Sequence, residues 1–193
     1  MYKLCKSEQS AARQRQLELG LLELMRHRRY EEISVSEICD HLEIPRKSFY
    51  RYFSSKDGAL HALVDHTMLA YEGYNVVYAA YERRSPVKEL QQFFEFWMDN
   101  RVLLNALEKS GLSSMLVERA LNYYTEDKPV AERFLQNEGP FQRRQRMLFC
   151  ISGLMGLVLT WHHNDFAHSS EEMATVASNL VTLPLFPNLE NMF

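Results

Sequence analysis

The sequence predicts an all-α protein, and three observations carry that reading. Across 193 residues there are only seven glycines and six prolines, and long stretches contain neither. Leu, Glu, Arg, Met and Ala, which lose little freedom in a helix, are abundant. Apolar side chains recur at three- and four-residue spacing in one segment after another. Apolar residues at 46% and charged residues at 24% are globular values, so a packed core is expected rather than disorder.

Residues 1–8 carry no helical pattern and are expected to fray. From Gln9 to Arg28, Ala12, Leu17, Leu21, Leu24 and Met25 recur near helical spacing while Arg13, Arg15, Glu18 and Glu23 lie elsewhere, giving an amphipathic first helix. Arg26, His27, Arg28 and Arg29 suit its C-terminal end, where cations meet the negative end of the helix dipole. An approach to phosphates is the second reading of the same four residues.

Ser34 precedes Glu37 by three positions, a capping box that opens a short helix with Val35, Ile38 and Leu42 as its buried stripe. Pro45 ends that helix, because the residue before a proline avoids helical geometry, and proline suits the first position of the next one. The segment Pro45 to Tyr52 sets Arg46, Lys47, Ser48, Tyr50, Arg51 and Tyr52 around a single apolar anchor, Phe49, with Phe53 closing it. Ser54 to Asp57 is a further Ser-x-x-acid start. The pattern fits two descriptions: a helix-turn-helix whose second helix enters a major groove, or a solvated helical hairpin.

The residues themselves separate these. Ile33-Ser-Val-Ser-Glu-Ile-Cys39, followed by Ile44-Pro-Arg-Lys-Ser-Phe-Tyr-Arg-Tyr-Phe-Ser-Ser-Lys-Asp57, resembles the DNA-binding signature of the tetracycline-repressor (TetR) family. That signature has a Thr/Ser-x-x-x-Ile first helix, a Phe/Leu-Tyr-x-His/Tyr-Phe recognition helix and a Ser/Asn-Lys start to the next helix. Family members usually carry Gly in the turn, where this chain has Leu42-Glu43-Ile44, and often Ser at the position of Pro45. A left-handed Glu43 would cost about 1–2 kcal/mol. The resemblance implies DNA contacts at Ser36, Arg46, Lys47, Ser48, Tyr50, Tyr52 and Lys56. The chemistry agrees, since Arg46 and Lys47 suit guanine edges or phosphate, and Tyr50 and Tyr52 are phosphate donors with packing rings.

The remaining elements follow in order. A helix from near Ser55 runs through Leu60, Leu63, Val64, Thr67, Met68 and Tyr71 towards Arg84, and the resemblance makes it the connection between head and body. Ser85-Pro86 breaks the chain before a helix at 87–98, with Leu90, Phe93, Phe94 and Trp97 on its apolar side. Helices are expected at 101–109, ended by Ser110-Gly111, and at 112–124, 129–136, 141 to about 163, and 169 or 170 to about 183. The helix from 141 starts basic and is then apolar on nearly all sides, so it must be buried on more than one face. Its Gly-Leu-Met-Gly-Leu-x-Leu-Thr-Trp run resembles the closing helices of the family, where the last two helices of each subunit build a four-helix dimer interface. Leu154, Leu157, Val158, Trp161, Met173, Val176 and Leu180 are the expected interface residues. Asn100-Arg-x-Leu-Leu-x-Ala-Leu107, followed by Ser110-Gly-Leu112, resembles the subgroup that contains dihydroxyacetone-kinase regulators.

Charge is distributed unevenly. Residues 1–57 hold eleven Lys and Arg against nine Asp and Glu, a net +2, and the chain as a whole is −3, so the rest is −5. A basic head on an acidic body fits a DNA reader whose second part meets something else. The cysteines Cys5, Cys39 and Cys150 are odd in number and far apart, the usage of reduced thiols in a cytoplasmic protein. Met147 to Trp161 is the most apolar run, too short to span a membrane. His162 and His163, with Asp165 and His168 nearby, make a poor metal site, because adjacent helical residues diverge.

No nucleophile-base pair, paired carboxylate site or phosphate-cradling loop is visible, so neither catalysis nor a cofactor is expected. Aromatic residues are dense in the body. Tyr71, Tyr74, Tyr78, Phe93, Phe94, Trp97, Tyr123 and Tyr124 are the expected lining of a small-ligand site, with ordinary core packing as the other reading of each. The sequence therefore predicts a homodimeric DNA-binding regulator, with residues 1–56 as the head and 57–193 as the effector-binding and dimerisation domain. Its partners are an operator duplex, a second copy and a small-molecule effector that releases repression; a body that binds a protein partner is the alternative.

Overall fold

The computed structural model describes Tyr2 and residues 7–79, 85–125 and 139–182, with side chains left out at 73–79, 124–125 and 182. Among the described residues there are nine α-helices and no strand: α1 (Glu8–His27), α2 (Val35–His41), α3 (Arg46–Tyr52), α4 (Lys56–Ala79), α5 (Pro86–Asp99), α6 (Arg101–Lys109), α7 (Ser113–Thr125), α8 (Pro140–His163) and α9 (Ser170–Thr182). No helix among them is long and apolar enough to cross a membrane. The expected helix at 129–136, and the continuation of α4 beyond Ala79, lie outside the described residues.

The chain forms two compact units, and they do not follow chain order. One comprises Met1–Glu72 and Val102–Tyr123, the other Gly73–Arg101 and Tyr124–Phe193. A cut at residue 56 was expected; instead the first part of α4 and most of α6 and α7 join the N-terminal helices. Three polar links explain why. The Lys109 ammonium donates to the His27 carbonyl at 2.8 Å, the Ser110 hydroxyl accepts from the Tyr30 N–H at 2.9 Å, and Arg119 of α7 pairs with Asp65 of α4 (Nε to Oδ1 2.7 Å).

In the first unit, Ser7 caps α1 by accepting from the Ser10 N–H at 3.3 Å. The buried face of α1 is Gln14, Leu17, Glu18, Gly20, Leu21 and Met25. This corrects two sequence expectations: Ala12 is exposed, and Glu18 is completely buried. The Glu18 carboxylate is tolerated because His66 Nδ1 lies 2.9 Å from both its oxygens and Arg15 donates to it at 2.9 Å. Gly20 of α1 faces the Leu42 side chain at the end of α2: a Cβ there would lie 2.7 Å from it, so that side chain would have to shift.

In the second unit, α9 packs along α5, with a further contact from the Ser170 hydroxyl to Glu95 Oε1 at 3.3 Å. Its core holds Phe94, Trp97, Val158, Trp161, Ala174 and Ala177. Trp161 stacks edge-on against Phe94 at 5.5 Å and Phe166 at 4.7 Å, and its indole donates to the His168 carbonyl at 2.9 Å. Ser169 and Glu172 cap the start of α9 reciprocally, at 2.8 and 3.2 Å.

Candidate nucleic-acid interface

Local contacts hold the helix-turn-helix together. The capping box read in the sequence is formed: the Glu37 N–H donates to Ser34 Oγ at 3.2 Å and the Ser34 N–H donates to Glu37 Oε2 at 2.8 Å. Arg28 then closes on Glu37 Oε1. These contacts and the Ser34 hydroxyl hold the Glu37 carboxyl down from its ordinary 4.5 to about 2. The turn contains Glu43 at φ +52°, the left-handed geometry that glycine occupies without cost. The Ile44 N–H donates to the Cys39 carbonyl at 2.9 Å and sets the angle at which the chain leaves α2. Pro45 sits one position before α3 as its N-cap, rather than as its first residue, with φ −65° and extended ψ; the Ser48 N–H donates to its carbonyl at 2.8 Å.

Helix α3 has a sharply divided surface. Phe49 and Phe53 are buried with ring centroids 5.4 Å apart, and they anchor the helix in the core. The backbone of Tyr2 pairs with Phe53, and the Tyr2 hydroxyl donates to Asp65 Oδ2 at 2.7 Å. On the outer side, Arg46, Lys47 and Arg51 are exposed, and the Tyr50 ring is 54% exposed, resting edge-on against Phe49 at 5.6 Å. Ser36 and Ser48 are half-buried.

Two residues expected to touch DNA have other tasks. Tyr52 is buried, 8% exposed, so its ring belongs to the core. Lys56 directs its ammonium to three carbonyls, those of Tyr30 (2.7 Å), Ile33 (2.7 Å) and Glu31 (3.2 Å), and lies over the Tyr30 ring at 4.2 Å. An ammonium has three donors, and these contacts use all of them. Lys56 is a clamp on the segment entering α2, and Tyr30 is fixed further by donating to Asp57 Oδ1.

The other cations of the head separate by partner. Arg26 pairs with Glu23 at 2.9 Å, Arg28 with Glu37, and Arg29 with Glu31 at 3.7 Å, so the cations at the end of α1 are balanced where they stand. Arg46, Lys47 and Arg51 make no ion pair with any described residue. An uncompensated positive helix beside an exposed tyrosine is a surface suited to a polyanion.

The expected ligand lining is divided between the two units. Phe93, Phe94 and Trp97 lie together in the second, with Phe93 and Phe94 5.3 Å apart and Phe93 and Trp97 6.4 Å apart. Tyr71 and Tyr123 belong to the first, where the Tyr123 hydroxyl donates to Glu72 Oε2 at 2.5 Å. The side chains of Tyr74, Tyr78 and Tyr124 lie outside the described residues. Among the expected interface residues, Val158 and Trp161 are spent on the unit's own core, whereas Val176 and Leu180 are exposed and Leu154, Leu157 and Met173 half-exposed. Sequence periodicity alone does not reveal this division, because α8 is apolar nearly all round.

Residues 20–63 match the family model described as bacterial regulatory proteins, tetR family. This segment is similar to the DNA-binding part of tetR-family regulators. The match spans the last part of α1, all of α2 and α3, and the first part of α4. Among curated proteins, no sequence relative matches the chain. Several solved structures share its fold. A putative TetR-family transcriptional regulator from Syntrophomonas wolfei aligns with a TM-score of 0.65 at 16% identity, covering 91% of this chain and 97% of that one. The fatty acid degradation regulator FadR from Bacillus halodurans aligns at 0.61 and 15%, covering 94% and 98%. The dihydroxyacetone kinase operon activator DhaS aligns at 0.58 and 15%, covering 89% and 94%.

Proposed function

We propose that this chain is a regulator of the tetR family, a homodimeric repressor whose α3 helices read the two halves of a near-palindromic operator. The observation that supports it is the division of cations just described: Arg46 and Lys47 stand unpaired at the start of a helix whose rear face is locked by Phe49 and Phe53. In a major groove, Arg46 and Lys47 reach guanine edges, and Tyr50 and Ser48 fix register on phosphate. Ser36 at the start of α2 adds a backbone contact. The dimer forms through α8 and α9. A small apolar ligand in the aromatic body shifts the equilibrium away from the DNA-competent state, which requires that it bind one state more tightly than the other. The Trp97 indole N–H, buried with no described partner, suits a ligand carrying one hydrogen-bond acceptor.

The test is fluorescence anisotropy with the duplex upstream of the chain's own gene beside a scrambled duplex, across salt. An operator keeps a specificity gap as non-specific binding collapses, and Lys47→Ala or Tyr50→Ala closes the gap. Equal binding of both duplexes at every salt concentration counts against sequence reading at that site. A second reading, a body that engages a protein partner and activates, is favoured by the likeness to DhaS, which is itself named an operon activator. A reporter gene whose output rises with the regulator present selects it.

A further inference from the structure

We infer that Arg13 of α1 and Arg51 of α3 form a two-helix clamp on the DNA backbone, flanking the groove-reading residues; the inference rests on the proposed DNA reading. A surface depression of about 470 Å³ opens beside α3, lined by Arg13, Leu42, Glu43, Ile44, Pro45, Ser48, Arg51 and Tyr52. Its two cations come from different helices, Arg13 from α1 and Arg51 from α3. Both arginines are exposed. Arg13 commits one donor to Gln16 Oε1 at 2.7 Å, and neither guanidinium meets a carboxylate among the described residues. A guanidinium has five N–H donors in a rigid fork that matches phosphate, so both keep donors to offer. Glu43 adds the one opposing charge to the lining.

A phosphate clamp has a signature distinct from base reading. Each arginine neutralises one phosphate whatever the sequence, so removing it weakens operator and scrambled duplex by the same factor. The logarithmic salt slope of binding then flattens by about 0.9 per arginine. The experiment measures both duplexes across salt for the full-length chain and for the variants Arg13→Ala, Arg51→Ala and their combination. The expected result is a slope lower by about 1.8 in the double variant, with the operator-to-scrambled ratio unchanged. Arg13→Lys with Arg51→Lys retains the slope, and Glu43→Gln strengthens binding to both duplexes by removing the opposing charge. A double variant, folded by circular dichroism, whose slope equals that of the wild type overturns the clamp while leaving the reading by α3 intact. A loss of the operator-to-scrambled ratio instead assigns these arginines to base contact and also overturns it. A wild-type chain with no salt-dependent duplex binding overturns the DNA reading itself, and the clamp with it.

Discussion

Glu43 holds φ at +52° in the tight turn before α3, a conformation that places Cβ against the backbone of an L-residue. Nothing in the turn relieves that strain, because its hydrogen bonds, such as Glu43 N–H to the Asp40 carbonyl at 3.2 Å, are made by the backbone. Glu43→Gly is therefore expected to stabilise the chain by about 1 kcal/mol, read as a higher melting temperature. A lower melting temperature would mean that the side chain contributes more than its backbone strain removes. Lys56 poses the converse case. Lys56→Ala deprives three carbonyls of their donor and is expected to cost about 2 kcal/mol of stability while leaving the salt slope of DNA binding unchanged. Lys47→Ala should do the reverse, with little effect on melting and a smaller operator-to-scrambled ratio. The identity of Lys56 was plain in the sequence, and its task was not: the carbonyls that hold it lie 23 to 26 positions earlier. No local pattern brings such groups together.

Helix α2 depends on its first turn, because seven residues give too few internal hydrogen bonds to nucleate without help. Glu37 serves the cap and the Arg28 pair at once, and its carboxyl titrates near 2 rather than 4.5. A depressed carboxylate stabilises the fold above its unfolded value and loses that contribution as pH falls through its folded value. Glu37→Gln should thus melt below the wild type at neutral pH. The gap should close progressively between about pH 4.5 and 2. A gap that stays constant over this range would show that the charge on Glu37 is immaterial to the helix. The capping box was legible because its partners are three residues apart. Arg119 and Asp65, 54 positions apart, were not. Arg119→Ala would leave the nearly buried Asp65 without its cation, held by the Tyr2 hydroxyl alone, and is expected to cost about 3 kcal/mol, seen as a reduced denaturation midpoint at unchanged slope.

At the scale of the whole chain, helix order and most boundaries were readable because caps, prolines and periodicity are local. The grouping of α6 and α7 with the N-terminal helices was not readable, since it depends on contacts such as Tyr30 with Ser110, 80 positions apart. The outward face of α8 shows the same limit: its apolar residues look equivalent in sequence, yet the structure buries Val158 and Trp161 and leaves Gly153 and Gly156 facing open space. Small residues on one helix beside exposed Val176 and Leu180 on the next permit close approach of a second copy. If the proposed dimer uses that face, Gly156→Leu should fold normally, because an added Cβ meets nothing within 4 Å, yet it should hold the two copies apart. Sedimentation is then expected to show monomer with an unaltered helical spectrum, and operator affinity should fall because one half-site no longer recruits the other. Val176→Asp should act the same way by placing a charge in the interface. Trp161→Ala should instead lower the melting temperature before it affects assembly, since its ring packs inside the subunit. Gly156→Leu sedimenting as a dimer would move the interface elsewhere on the body.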